Sequence, residues 1–374
     1  MTDFAHLFPG QPKANYLAHR AAIDGAIRRV LESGWYILGS EVEAFEREFA
    51  QFLGVAQVVS VANGTDALEL ALRAGGVGSG DVVITVSHTA VATVAAIERA
   101  GATPLLVDID PETFTLDPAR LEATIRTHPG GGLKAIIVVH LYGHPADLPA
   151  ITEIAKRHDL LLIEDCAQAH GAKLAGRTTG TWGDLAAFSF YPTKNLSAIG
   201  DGGAVATQSK ELAARVAELR QYGWKERYIS ASAGVNSRLD ELQAAILRAK
   251  LGALTAENAR RREIAARYSA GLVGTALRLP PTRDGAEHVF HQYVVRTPGR
   301  DALLQHLRAR GIPAAIHYPA PVHLQPAYAG RVAHGAGGLA ETERACREIL
   351  SLPMHPHLGD EAVACVIDEI CAWK

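Results

Sequence analysis

Residues 161–168 read Leu161-Leu162-Ile163-Glu164-Asp165-Cys166-Ala167-Gln168. A short apolar run, Leu160 to Ile163, reads as a strand and stops at two carboxylates. Similar runs flank it. Val82 to Val86, Thr103 to Val107, Ala135 to Val139, Leu185 to Phe190 and Ala204 to Thr207 read as strands. Ala90 to Arg99 and Asp147 to His158 read as helices between them. Continuous apolar strands alternating with helices predict an α/β fold with a mostly parallel sheet buried on both faces. Ligands on such sheets sit beyond the carboxyl ends of the strands, where Glu164 and Asp165 fall. Acids there can serve a cofactor, hold a metal as in a nucleotide hydrolase, or cap the following turn. The hydrolase reading needs a GxxxxGK[ST] loop, and the sequence has none.

Further along, Ser189-Phe190-Tyr191-Pro192-Thr193-Lys194-Asn195-Leu196 delivers a lysine with no charged neighbour close by in sequence. In weakly polar surroundings such an amine loses some preference for its ammonium form and can act as a nucleophile toward a carbonyl. The plain alternative is a loop lysine that reaches water. Upstream, Asn63-Gly64-Thr65-Asp66-Ala67-Leu68 follows the apolar run Val58 to Val61. Gly64 permits close backbone approach, and Thr65 with the free N–H groups of a new helix can hold an anion. Asn63 or Thr65 can equally be an ordinary N-cap. Downstream, Asn236 or Ser237 reads as the cap of a long helix, Arg238 to about Ala270, with Asp240 and Glu241 at its positive end.

Around these segments, Arg20 to Ser33 and Glu41 to Phe52 read as N-terminal helices, and Lys210 to Arg220 as another. After Gly271 the texture changes. A strand at Val289 to Val295 and helices at Asp301 to Arg310 and Leu339 to Leu350 predict a smaller α+β domain.

One cofactor draws on all three site segments. Pyridoxal phosphate needs an imine-forming lysine, a carboxylate against its pyridine nitrogen and a phosphate cradle. Lys194, Asp165, and Gly64-Thr65 with Ser189 match those needs in that order.

The chain resembles the DegT-type sugar aminotransferases, vitamin B6 enzymes of the aspartate aminotransferase fold (type I). The resemblance runs from Ser33-Gly34-Trp35-Tyr36-Ile37-Leu38-Gly39 to His323-Leu324-Gln325-Pro326-Ala327-Tyr328. Its most specific parts are Glu164-Asp165-Cys166-Ala167-Gln168-Ala169-His170-Gly171, the Lys194 segment, and Asn236-Ser237-Arg238-Leu239-Asp240-Glu241-Leu242. It implies that Lys194 carries the cofactor, that Asp165 pairs with the ring nitrogen, and that Gln168 lies near the ring. It also implies that Gly64, Thr65 and Ser189 hold the phosphate. Asn236 would reach the cofactor phosphate of a neighbouring subunit, making the unit a homodimer with shared active sites. Residues 1–250 would form the large cofactor-binding domain, bridged by the helix at about 238–270, and 251–374 the small one. Many members place an aromatic residue over the ring where this chain has Ala90, so His88 is a candidate neighbour of the cofactor.

The subgroup it resembles aminates carbon 3 of a dTDP-linked 3-keto-6-deoxyhexose, with L-glutamate as donor, 2-oxoglutarate as by-product and pyridoxamine phosphate as intermediate. Carbon 4 of a 4-keto sugar is the alternative. Related dehydratases carry histidine where this chain has Lys194. A reading from another class is a non-catalytic regulator that binds the cofactor, but no basic patch or helix-turn-helix supports DNA binding. Arg227, Tyr228, His317, Tyr318 and His323 are candidate sugar-nucleotide contacts.

Composition narrows the remaining classes. The 374 residues are 48% hydrophobic, enough for a large core. A net charge of −3 gives no electrostatic case for nucleic acid or an anionic membrane. The four cysteines lack CxxC spacing, and Met1-Thr2-Asp3-Phe4 does not begin a signal peptide. A cytoplasmic protein without membrane spans is the expectation. His140 and His144 lie four apart, but Gly143 interrupts any helix, so no metal is expected.

Overall fold

The computed structural model describes residues 10–281 and 283–373. The N-terminal reading at Met1 to Phe4 lies outside them. The central sheet has eight strands. Their order is Gln57–Val61, Gly203–Thr207, Leu185–Ser189, Leu161–Asp165, Leu133–Val139, Val82–Val86, Thr103–Val107 and Ala333–His334. Gly203–Thr207 pairs antiparallel with both of its neighbours, and every other pairing is parallel. This is the mostly parallel α/β architecture expected.

Alternation along a strand explains why the runs are apolar throughout. In Leu133–Val139, Ile136 and Val138 enter one core while Ala135 and Ile137 enter the core on the opposite face. Each side chain points away from its neighbour, so a sheet covered on both faces needs apolar residues at every position.

The strand at the centre differs from expectation at its end. It spans Leu161–Asp165 and so contains both carboxylates. Consecutive strand residues face opposite ways. Glu164, fully buried, accepts N–H groups from Gly180, Trp182 and Gly183 at 2.7, 2.7 and 2.9 Å. It also meets His140 Nε2 at 3.0 Å. Glu164 is therefore a turn anchor, and Asp165 alone faces the opposite side.

Further expectations are corrected. The helix expected at 238–270 is two helices, Glu241–Leu251 and Leu254–Gly271, broken at Gly252-Ala253. Its N-cap is Asp240, without a side-chain bond, rather than Asn236 or Ser237. Ser237 Oγ instead donates to Asp66 Oδ2 at 2.7 Å and accepts from Ala62 N at 3.0 Å. Glu241 caps a different helix, Ser40–Leu53, accepting from Gly39, Glu41 and Val42 N–H at 2.7–2.9 Å. The strand expected at Val289 to Val295 is Tyr293–Arg296, and the helix expected to reach Leu350 ends at Glu348. Residues Ile349–Leu352 turn into a strand that pairs antiparallel with Tyr293–Arg296. Helices Leu254–Gly271, Arg300–Ala309 and Asp360–Ala372 surround that pair in a separate apolar core. No helix among the described residues is long and apolar enough to cross a membrane.

Candidate active site

Asp165 ends its strand with the carboxylate held from two sides. Thr93 Oγ1, on the helix Val91–Arg99, donates to Oδ2 at 3.0 Å, and Ala167 N donates to Oδ1 at 3.1 Å. Burial pushes the Asp165 pKa up, against the opposing pull of these two donors, Lys194 and His140. A nearby cationic nitrogen would reverse that burial penalty.

Lys194 lies in the turn after strand Leu185–Ser189, its N–H bonded to Tyr191 O at 2.8 Å. Burial lowers its pKa to about 8, with Asp165 pulling the other way. The residue as a whole is half-buried, with its amine desolvated. Its loop is pinned from below. Asn195 Nδ2 donates to Asn258 Oδ1 at 2.8 Å and to Val289 O at 3.1 Å, while buried Lys250 donates to Ser197 Oγ at 2.7 Å. Burial also keeps neighbouring imidazoles neutral, lowering His170 to about 3 and His317 to about 4, with the Lys194 charge adding to both.

The segment after Asp165 turns back toward the same place. Gln168 Oε1 accepts from Tyr142 N at 2.6 Å, and its Nε2 donates to the Tyr318 hydroxyl at 3.3 Å. Burial, with Asp165 adding to it, raises Tyr318 to about 12. His317 and Tyr318 thus lie by Lys194 and Asp165.

At the sheet edge, Asn63 is the N-cap of helix Gly64–Ala74, its side chain accepting Asp66 N at 2.8 Å. The cap reading of Asn63 and an anion site at Gly64-Thr65 are compatible, because one cap bond leaves other first-turn N–H groups free. A Cβ on Gly64 would lie 2.7 Å from Ser189 Cβ. Gly64 therefore brings the helix N-terminus against Ser189, two strands away.

Other expected residues stand elsewhere. His88 is buried behind Tyr142. Its Nε2–H donates to the Tyr142 hydroxyl at 2.8 Å, and its Nδ1 faces the Cys346 thiol at 3.4 Å. Burial, with Arg296 adding to it, lowers His88 to about 3. The Tyr142 hydroxyl in turn donates to His317 O at 2.5 Å, so His88 braces the His317 loop. His323 bonds Ser87 Oγ at 2.8 Å and lies 3.3 Å from Glu343. Arg227 and Tyr228 stand on an exposed hairpin, the guanidinium 5.0 Å from the ring centre. Asn236 is exposed, next to the buried Ser237. His140 and His144 do not converge. His140 bonds Glu164 and Ala146 N, and His144 Nδ1–H donates to Pro145 O at 2.7 Å.

Sequence reasoning missed Thr93 and Tyr142. Thr93 falls in the helix predicted from Ala90 to Arg99, but only its place in the first turn beside Asp165 gives it a role. Tyr142 has φ 61°, and no local pattern announces that.

The residues present fit pyridoxal phosphate. A buried carboxylate forms no ion pair among the described residues, an amine is poised near neutrality, and a helix N-terminus closes on a serine. Fold and site together define a pyridoxal phosphate-dependent aminotransferase. Residues 18–371 match the DegT/DnrJ/EryC1/StrS aminotransferase family, and the chain belongs to it. It is 49% identical to the dTDP-3-amino-3,4,6-trideoxy-alpha-D-glucose transaminase of Streptomyces venezuelae, over 96% of this chain and 94% of that one. It is also 49% identical to the erythromycin biosynthesis sensory transduction protein EryC1 of Saccharopolyspora erythraea, over 95% and 96%. The crystal structure of S. venezuelae DesV in complex with a ketimine intermediate superposes with a TM-score of 0.93 at 48% identity, covering 97% of this chain and 96% of that one.

Proposed function

We propose that this protein moves the amino group of L-glutamate to carbon 3 of a dTDP-linked 3-keto-6-deoxyhexose in aminosugar biosynthesis. The observation that carries the catalytic part is the pairing of Lys194, its pKa lowered to about 8, with buried Asp165. Bound pyridoxal phosphate supplies an electron sink for the carbon that exchanges its amine. Asp165 holds the pyridine nitrogen in its protonated form. Lys194 Nζ binds the cofactor at rest, then takes and returns the proton at the reacting carbon. Gly64, Thr65 and Ser189 hold the phosphate, and Gln168 orients the ring face. The name of the Streptomyces venezuelae relative supports the dTDP sugar and carbon 3.

In this reading the active unit is a cytoplasmic homodimer. Exposed Asn236 reaches the partner's cofactor phosphate, and Arg227 and Tyr228 meet the nucleotide of a site completed by a second chain. A guanidinium beside an aromatic ring suits a nucleoside diphosphate. His317, Tyr318 and His323 line the approach of the sugar. Residues 1–250 carry the cofactor, and 251–374 form the small domain.

The test is product NMR after incubation with glutamate and either a dTDP-3-keto or a dTDP-4-keto sugar. An amine on carbon 3 is expected. An amine on carbon 4 replaces the substrate assignment and leaves the chemistry. The sensory name of the EryC1 relative motivates a second reading, a cofactor-binding regulator. Amino transfer to neither sugar, by protein loaded with cofactor, would favour it.

A further inference from the structure

His19, Glu257 and His357 come from distant parts of the chain. His19 joins helices Pro12–Ala18 and Arg20–Ser33, Glu257 lies in the first turn of Leu254–Gly271, and His357 precedes Asp360–Ala372. His19 Nε2 lies 2.6 Å from Glu257 Oε1, and His357 Nε2 lies 3.5 Å from the same oxygen. One donor atom from each falls within 4.8 Å of the others. The His357 nitrogen is closed off from solvent and has no hydrogen-bond partner. A proton shared between His19 and Glu257 satisfies that pair and leaves His357 orphaned, at a cost. A divalent cation among the three would satisfy all of them.

The donor set is chemically apt. Two imidazoles and one carboxylate are a recurrent zinc set, with a fourth position for water. Tetrahedral zinc bonds of about 2.0–2.1 Å place donor atoms about 3.3 Å apart, so the 3.5 Å contact already fits and the 2.6 Å one must open by about 0.7 Å. Arg261 and Lys250 act on Glu257 and oppose a second positive charge, which argues for modest affinity.

We propose that His19, Glu257 and His357 form a divalent transition-metal site, best matched to Zn2+, that ties the N-terminal arm to the C-terminal helices. His357 lines a small pocket together with Lys194, and the consequence of the site is positional. Gly10 to Lys13, just ahead of His19, line a cavity of about 680 Å³ together with Thr193, His291 and His317. Fixing His19 fixes that wall beside the Lys194 loop. No spacing motif announces the set, since His19 and Glu257 stand 238 positions apart.

The experiment titrates metal-stripped, cofactor-loaded full chain with Zn2+ by calorimetry, then with Co2+ in visible absorption. One Zn2+ per chain is expected, weakened at least about tenfold in His19→Asn, Glu257→Gln and His357→Asn. Strong tetrahedral Co2+ bands should appear in the parent and vanish in the variants. Trypsin cleavage after exposed Lys13 should slow with Zn2+ in the parent only. Retained cofactor absorbance certifies the fold of each variant. If the Glu257 variant fails that check, His19→Asn decides alone. No Zn2+ binding, or binding unchanged in the folded variants, overturns the proposal.

Discussion

Thr93 Oγ1 donates a 3.0 Å hydrogen bond to Oδ2 of Asp165, so a helix side chain holds the carboxylate that ends the neighbouring central strand. The bond favours the charged form of a carboxyl that burial otherwise pushes toward neutrality. Thr93→Val keeps the shape and removes the donor. A hydrogen bond to a charged group is worth ~1.5 kcal/mol or more, so pyridoxal phosphate affinity should fall about tenfold. Equilibrium titration of the apo protein measures this, and Thr93→Ser should restore it. Unchanged affinity in the valine variant would remove Thr93 from the site.

Glu164 and Asp165 are neighbours with opposite tasks, and their variants should separate cleanly. Asp165→Asn should fold normally and lose turnover by about 10²–10³-fold, as expected for removing a charge aimed at the reacting system. Glu164→Ala leaves the N–H groups of Gly180, Trp182 and Gly183 without their acceptor. It should cost about 3 kcal/mol or more of stability. Denaturant unfolding and steady-state rates on both variants check the pair.

Cofactor capture should track the free amine of Lys194. With its pKa lowered to about 8, the reactive fraction in apo protein rises with pH up to about 8 and flattens above. Stopped-flow absorbance after mixing with pyridoxal phosphate reads this directly. Lys194→Ala should abolish both the capture and the turnover. A rate still climbing steeply beyond pH 9 would mean an unshifted lysine.

Apo-protein stability has a matching alkaline signature. The unfolded chain holds the Lys194 proton up to about 10.4, while the folded chain releases it near 8. The unfolded state therefore binds more protons between those values, and this group's contribution rises with pH across that window. Lys250, also lowered to about 8 by burial, adds with the same sign. Denaturant midpoints across the window should climb less steeply in Lys194→Ala.

Acid should act through buried histidines. Burial first, and nearby positive charge second, lowers His88, His170 and His355 to about 3 and His317 to about 4. Unfolded imidazoles take up protons as pH falls through about 6.5, and the folded ones refuse them. Stability is therefore lost from about pH 6.5 downward, before most carboxylates titrate. Thermal unfolding between pH 7 and 5 checks the onset.

Much of this protein was legible locally. The two-faced apolar strands, the helices between them, and the Lys194, Asp165 and Gly64-Thr65 segments follow from period and residue type, which are properties of a few adjacent residues. The errors fall where a partner from far along the chain intervenes. Glu241 reads as an acid at the positive end of its own helix; it lies in that first turn and also caps Ser40–Leu53. Asn236-Ser237 reads as a helix cap, yet Ser237 bonds Asp66 across 171 positions. The partners of His88, Tyr142 and Cys346, likewise come from 54 and 258 positions away.

Sequence alone determined the sheet class and singled out Lys194 and the Glu164-Asp165 pair as candidates, because apolar period and a lone charge beside an apolar strand are local matters. Tertiary structure decided which of two adjacent carboxylates faces the site. It also decided that Thr93 supports the chosen one and that His19, Glu257 and His357 meet at all. A strand turns successive side chains to opposite faces, so one residue of register exchanges the roles of Glu164 and Asp165. Only packing of the whole chain fixes that register.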